Sequence, residues 1–278
     1  IDRHEFKSII EIYPFFKKPL LRGILGLFES LKIGYSTLQW SAEISLSEEE
    51  NNKEPNRILD ILLTLFSFGL ALGLFFVAPI GLTSWLFDKD QDAFLFNLIS
   101  GLFRVIFFLT YLILISLMKD VRRLFQYHGA EHKTVYNFES GKKLEIANAQ
   151  QFSTQHPRCG TSFLFIIMIV AILSFAILDS VVLFYVDELK IWMRLILHIP
   201  FIPVVAGLGY EVLKLTAKHR SNIFFRALAQ PGLWLQNITT KQPDDEQVEV
   251  ALRALKEAFG DKLSQYSRGE TYIAEAIG

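Results

Sequence analysis

Two short stretches hold most of the side chains capable of chemistry. HGAEH, residues 128–132, puts His128, Glu131 and His132 within five residues, and HPRCG, residues 156–160, adds His156 and Cys159. The chain has six histidines in all, and Cys159 is its one cysteine. VRRLFQYHGAEHKTVYNFE contains no proline and one glycine, which predicts a helix continuing the apolar run before it. On a helix, residues four apart share a face, so His128 and His132 have the spacing at which two imidazoles bind one ion. Glu131 flanks the same face. The order H-x-x-E-H is that of the inverted zincins, where both histidines bind zinc and the glutamate is the general base. The plainer alternative is an interfacial helix whose histidines hydrogen-bond to their neighbours.

HPRCG strengthens the metal reading. His156 precedes a proline and should be extended. Cys159 stands directly before the next apolar run, and a thiol at a helix start has a lowered pKa that favours thiolate and ligation. Alternatively Cys159 is a small buried residue, with Thr161 or Ser162 as the N-cap. Glu211, in GLGYEVLKL, is a further carboxylate ligand candidate. It is otherwise an interfacial acid paired with Lys214 or Lys218. Together His128, His132, His156, Cys159 and Glu211 make a ligand set for a divalent ion, zinc first, with Glu131 as catalytic base. Lys133 and Arg158 could hold an anionic substrate group, although flanking charge at a membrane explains them equally well.

The elements that must position these residues are membrane spans. Hydrophobic residues make up 51% of the 278, and mean hydropathy is +0.31, too apolar for an ordinary soluble domain. A span needs about 20 mostly apolar residues. Residues 58–87, 94–118, 161–186 and 191–215 qualify, as two hairpins, so the expected fold is an all-α membrane protein with four transmembrane helices. An N-terminal amphipathic or re-entrant helix and further helical segments on the inner side complete it. The divisions are 1–57, an interfacial region; 58–118, the first hairpin; 119–160, the motif segment; 161–215, the second hairpin; and 216–278, a soluble helical tail. SLSEEENNKEPN, residues 45–56, reads as a solvated linker.

Lys and Arg concentrate in the segment between the hairpins, before the first span and after the fourth, while the two hairpin loops carry only Lys89 and Lys190. By the positive-inside tendency both termini and both motifs are cytoplasmic. Arg104, inside the second span, is expected to face a polar partner in the bundle, and His198 to be a satisfied bundle residue. In the tail, Pro243 should open a helix over 244–259 that Gly260 stops. Val248, Leu252, Leu255 and Phe259 should form its packed face. One cysteine excludes an internal disulfide. A formal net charge of −1 gives no sign of a nucleic-acid partner, so the expected partners are the bilayer and other membrane proteins or further copies of the chain. The chain begins at Ile1 without a signal-peptide pattern, so its natural N-terminus is expected to lie upstream.

YHGAEHKTVYNFESG, QHPRCGTSFL, GYEVLKL and PGLWLQNITTKQPDDEQVEVAL together resemble the YqhQ-like family of bacterial membrane proteins, from about Pro19 to Leu255. That family has no assigned function and has been described as predicted metal-dependent enzymes. The resemblance implies a polytopic protein of the bacterial inner membrane. The expected activity is a metal-dependent hydrolase at the cytoplasmic interface, acting on a lipid-linked, phosphorylated or juxtamembrane peptide substrate. The competing class is a scaffold or transporter, with a structural metal or none.

Overall fold

The computed structural model describes residues 6–49, 57–87, 93–157, 159–219 and 222–263. The chain forms α1 (Ile9–Ile12), α2 (Leu21–Glu49), α3 (Arg57–Leu72), α4 (Ala78–Leu86), α5 (Ala93–Ser116) and α6 (Lys119–Glu139). It continues as α7 (Ile146–Ala149), α8 (Gly160–Val182), α9 (Ile191–Lys218), α10 (Ile223–Thr239) and α11 (Asp245–Phe259). The protein is all-α among the described residues. Four helices are long and apolar enough to cross a membrane: Ile61–Leu86, Phe94–Ser116, Gly160–Val182 and Ile191–Thr216. Their outward residues suit lipid rather than water. Phe66 and Phe68, for example, are 68% and 65% exposed.

The chain folds as two compact units. The first, a bundle unit, comprises Phe6–Phe108 and Ile169–Glu211. Its first span is a single helix with a π-helical stretch over Gly73–Val77 between α3 and α4. The Ala78 N–H reaches back to the Gly73 carbonyl, and Pro79 follows. Proline lacks an N–H and crowds the carbonyl four residues back, and a widened turn relieves both. Polar residues cluster inside this unit around Asp179, which is fully buried. Asn97 donates to its carboxylate at 2.9 Å, His198 Nε2 lies 2.8 Å from it, and Arg194 pairs with it. His198 also stacks on Phe175 at 4.1 Å. Histidine 198 is thus a bundle residue held through Nε2, while its buried Nδ1 meets no hydrogen-bond partner among the described residues. Arg104 is buried in the same unit and feels the charge of Asp179; its guanidinium lies 5.7 Å from the Phe76 and Phe175 ring centres, and its Nε and Nη2 meet no hydrogen-bond partner among the described residues.

At the N-terminal end, Glu29 is buried and accepts from the Ser8 hydroxyl and the Ile9 N–H, fixing the start of α1. Helix α2 runs on to Glu49, so the expected linker begins as helix; residues 50–56 lie outside the described residues.

The second, motif-bearing unit comprises Leu109–Met168 and the chain from Val212 onward. Its α6 is a separate helix, not a continuation of the second span. The chain breaks at Leu117 and Met118, where Met118 is extended (φ −69°, ψ 136°) before α6 starts. Polar residues of α6 hold the irregular stretch 140–157 by its carbonyls. Lys133 Nζ donates to Gln150 and Phe152, and Asn137 Nδ2 to Lys143. Helix α11 packs on α6 and α7 through a core of Ala130, Ala149, Val248 and Leu252. Phe259 stacks on Phe138 at 4.9 Å, and Leu255 is half-buried. Asp244 is the N-cap, in a capping box with Gln247, so Pro243 precedes the helix rather than opening it. Helix α10 exposes Ile223, Phe224 and Trp234, while Gly232, Leu235 and Gln236 are buried.

Candidate metal centre

Three side chains meet in the motif-bearing unit. One ligand atom from each of His128, His132 and Cys159 lies within 4.8 Å of the other two. The four-residue helical step sets the two imidazoles edge-to-face on one side of α6, with ring centres 4.5 Å apart. Cys159 arrives from α8, where it stands one residue before Gly160 in the N-cap position. The Thr161 N–H and hydroxyl lie 3.4 and 3.1 Å from its sulfur. Cysteine 159 is therefore both cap and candidate ligand. Ser162 is elsewhere engaged, its hydroxyl accepting from Gln236 Nε2 at 2.9 Å.

The backbone decides which nitrogen of each histidine faces the sulfur. A carbonyl only accepts, so a ring nitrogen bonded to one must carry the proton. His128 Nδ1 donates to the Thr239 carbonyl at 2.9 Å, and His132 Nδ1 donates to the Thr154 carbonyl at 2.5 Å. Nε2 is then the ring atom left to face the sulfur, a ligand when deprotonated and a donor to the thiolate when protonated, and His128 Nε2 is 3.2 Å from Cys159 Sγ. Carbonyls that orient the far nitrogen are the usual support of a histidine ligand. The chain just after Thr239 comes this close to α6 because residue 129 is glycine. A Cβ there would collide with the Lys241 carbonyl. Gly232 serves the neighbouring packing in the same way, since a Cβ would come within 2.8 Å of Ser162.

Electrostatics follow the geometry. Burial pushes the Cys159 thiol up, but hydrogen bonds from His128, His132 and Thr161 outweigh it and lower it to about 5. Burial pulls His128 down, yet its hydrogen bond to Cys159 and the charges of Cys159 and Glu131 raise it overall. Glu131 is exposed on α6.

The other expected site residues lie elsewhere or do other work. His156 is buried next to the group but not in it. Its ring packs on His132 and Tyr136, with Nε2 3.7 Å from a Glu139 carboxylate oxygen. Its backbone N–H and carbonyl are both bound by the Gln236 side chain. Lys133 is buried, with its ammonium spent on two main-chain carbonyls, and burial lowers its pKa. That is a structural role in place of the anion-holding one. Glu211 belongs to the bundle unit, where Arg22 grips its carboxylate at 2.8 and 2.5 Å and the Leu20 N–H adds a third bond. That carboxylate is thus engaged by a guanidinium and a main-chain N–H. Arg158 lies outside the described residues. Sequence reasoning missed Gln236, Gly129 and Asp179. An aspartate within a span is a signal that could have found the last.

The chain matches the model of the family "Protein of unknown function (DUF1385)" over residues 18–261. It is 35% identical over 261 residues to "Uncharacterized protein YqhQ" of Bacillus subtilis (strain 168), covering 87% of this chain and 77% of that protein. No solved structure matches.

Proposed function

Because the chain belongs to the DUF1385 family of proteins of unknown function, its activity has to be read from the site, and we propose a membrane-embedded, metal-dependent hydrolase. The site would lie at the cytoplasmic membrane interface and act on a lipid-linked, phosphorylated or juxtamembrane peptide substrate. The observation that carries this reading is the three-member group of His128, His132 and Cys159. Two imidazoles and one thiolate suit zinc, and three protein ligands with a fourth position open are typical of catalytic rather than structural zinc. A zinc ion held there would lower the pKa of a bound water to about 7. Thr239 and Thr154 keep both Nε2 atoms turned inward. Glu131, exposed on α6, would take a proton and return it to the leaving group. A closed four-ligand site would instead favour a structural metal in a scaffold or transporter, and His156, turned toward Tyr136 and Glu139, is not placed as a fourth ligand.

One observation favours a second reading. Cys159 and His128 are within hydrogen-bond reach, with His128 oriented by a third group, as in thiol nucleophiles activated by a histidine. Elemental analysis separates the two. Protein expressed with ample zinc should carry about one ion per chain on the metal reading. His128→Ala, His132→Ala and Cys159→Ser should each lose it, and Glu131→Gln should keep it while losing hydrolysis. Wild-type protein that purifies without a divalent ion and is unaffected by chelation would overturn the metal reading in favour of the thiol.

A further inference from the structure

We propose that the motif-bearing unit binds one membrane lipid with an anionic headgroup, in a cavity between the start of α8, the end of α9 and α10. Taking that lipid as substrate rests on the hydrolase reading above; the binding does not. The cavity is about 210 Å³ and its lining is mainly apolar, including Ile166, Leu213, Phe225 and Leu233. A dry cavity of about 150 Å³ takes a benzene, so this one accepts a ring-sized stretch of chain and no more. The remainder of a longer apolar occupant must lie outside. Ile166 and Leu213 belong to two helices long and apolar enough to cross a membrane, so in a bilayer hydrocarbon would neighbour this part of the lining.

Helix α10 supports the same placement. Ile223, Phe224 and Trp234 are 74%, 66% and 62% exposed on a helix whose other face is packed against protein. An exposed apolar face of this kind on a span-flanking helix belongs in the interfacial layer, where tryptophan is favoured. Arg226, in the first turn of α10, is the charged member of the lining, and no acidic residue joins it. Its side chain is exposed and makes no hydrogen bond or ion pair among the described residues. A guanidinium at the mouth of an apolar cavity selects an amphiphile carrying a phosphate, which it can grip with two parallel hydrogen bonds. Pro157 and Ser162 form part of the wall. They flank Cys159 in the chain, so the turn that presents the sulfur also bounds the cavity. A headgroup held by Arg226 would thus sit beside the turn that carries the candidate centre.

The test is native mass spectrometry of the full chain in detergent, titrated with phosphatidylglycerol, phosphatidylcholine or inorganic phosphate, with zinc content measured on the same samples. Phosphatidylglycerol should bind one per chain, and more tightly than phosphatidylcholine. Arg226→Glu, an exposed change, should weaken it about tenfold or more, the worth of a lost charge-assisted bond. Ala229→Trp, which fills the cavity, should abolish one-per-chain binding. Inorganic phosphate should not compete. Equal binding of both lipids, insensitive to both variants, would mean bulk solvation by lipid and overturn the proposal. Full competition by phosphate would replace the lipid with a free anion and also overturn it. Lipid binding that persists in zinc-free His128→Ala supports this site while the metal reading fails on its own. Zinc-replete protein without lipid selectivity removes this site and leaves the metal centre standing.

Discussion

His128 Nε2 lies 3.2 Å from Cys159 Sγ, although 31 residues separate them in the chain. The contact joins the middle of α6 to the cap of a membrane span. It makes the electrostatics of each group depend on the other, which leads to the first expectation.

In zinc-free protein, Cys159 should react with iodoacetamide with a midpoint near pH 5. The folded thiol pKa is depressed, so the stability contributed by the thiolate is present above the unfolded thiol value, about 8.5. It is lost as pH falls through about 5. His128 is shifted upward, so its contribution is full below the unfolded imidazole value and is lost as pH rises through the folded one. The pair therefore supports the fold most between those limits. His128→Ala should move the alkylation midpoint upward; an unchanged midpoint would mean the histidine does not set it.

Gly129→Ala should damage the centre without touching a ligand. The added Cβ meets the Lys241 carbonyl, so that strand of chain must retreat and carry the Thr239 carbonyl away from His128. Overpacking of this kind costs about 1–3 kcal/mol. Zinc affinity should fall together with thermal stability. Full zinc content at wild-type affinity would show that the Thr239 bond is dispensable.

Asp179 carries the polar cluster of the bundle unit. Asp179→Ala leaves Arg194 and His198 buried without their carboxylate, a change worth about 3–5 kcal/mol. The melting temperature in detergent should drop well below that of surface variants. Replacing Asp179 and Arg194 together by leucine and methionine should recover much of the loss, because apolar packing substitutes for a complete ion pair. A double variant no better than Asp179→Ala would argue for a role beyond the pair.

The docked tail gives a fourth test. Leu252→Ala should destabilise the motif-bearing unit by about 2–4 kcal/mol, since Leu252 is buried against α6 and α7. Asp244→Ala should cost about 1 kcal/mol through the lost cap. If protease removed α11 from the Leu252→Ala protein no faster than from wild type, the helix would not be held by this core.

Topology follows from charge placement. In a background lacking Cys159, single cysteines at residues 90 and 188 should label only from outside the cell membrane, and one at 140 only from within. The opposite pattern would invert the orientation and move the candidate centre to the outer face.

Much of this was legible in the residues alone. The four spans follow from length and apolar composition, because no other phase accepts such runs. The helix over 245–259 follows from its period and its cap, and the pairing of His128 with His132 follows from the helical repeat. These are local rules, acting within a few residues. What the tertiary structure decided involves partners that no local pattern names. Arg22 reaches Glu211 across 189 residues and takes a carboxylate that composition offers to a metal. Lys133 lies in the motif itself, yet its ammonium turns to the carbonyls of Gln150 and Phe152, because a buried charge must find acceptors wherever the chain returns. The tautomers of the two histidines are set by the carbonyls of Thr239 and Thr154, 111 and 22 residues away. Main-chain carbonyls carry no side-chain identity, so the sequence could place two imidazoles on one face, while only the fold could turn their Nε2 atoms toward the same sulfur.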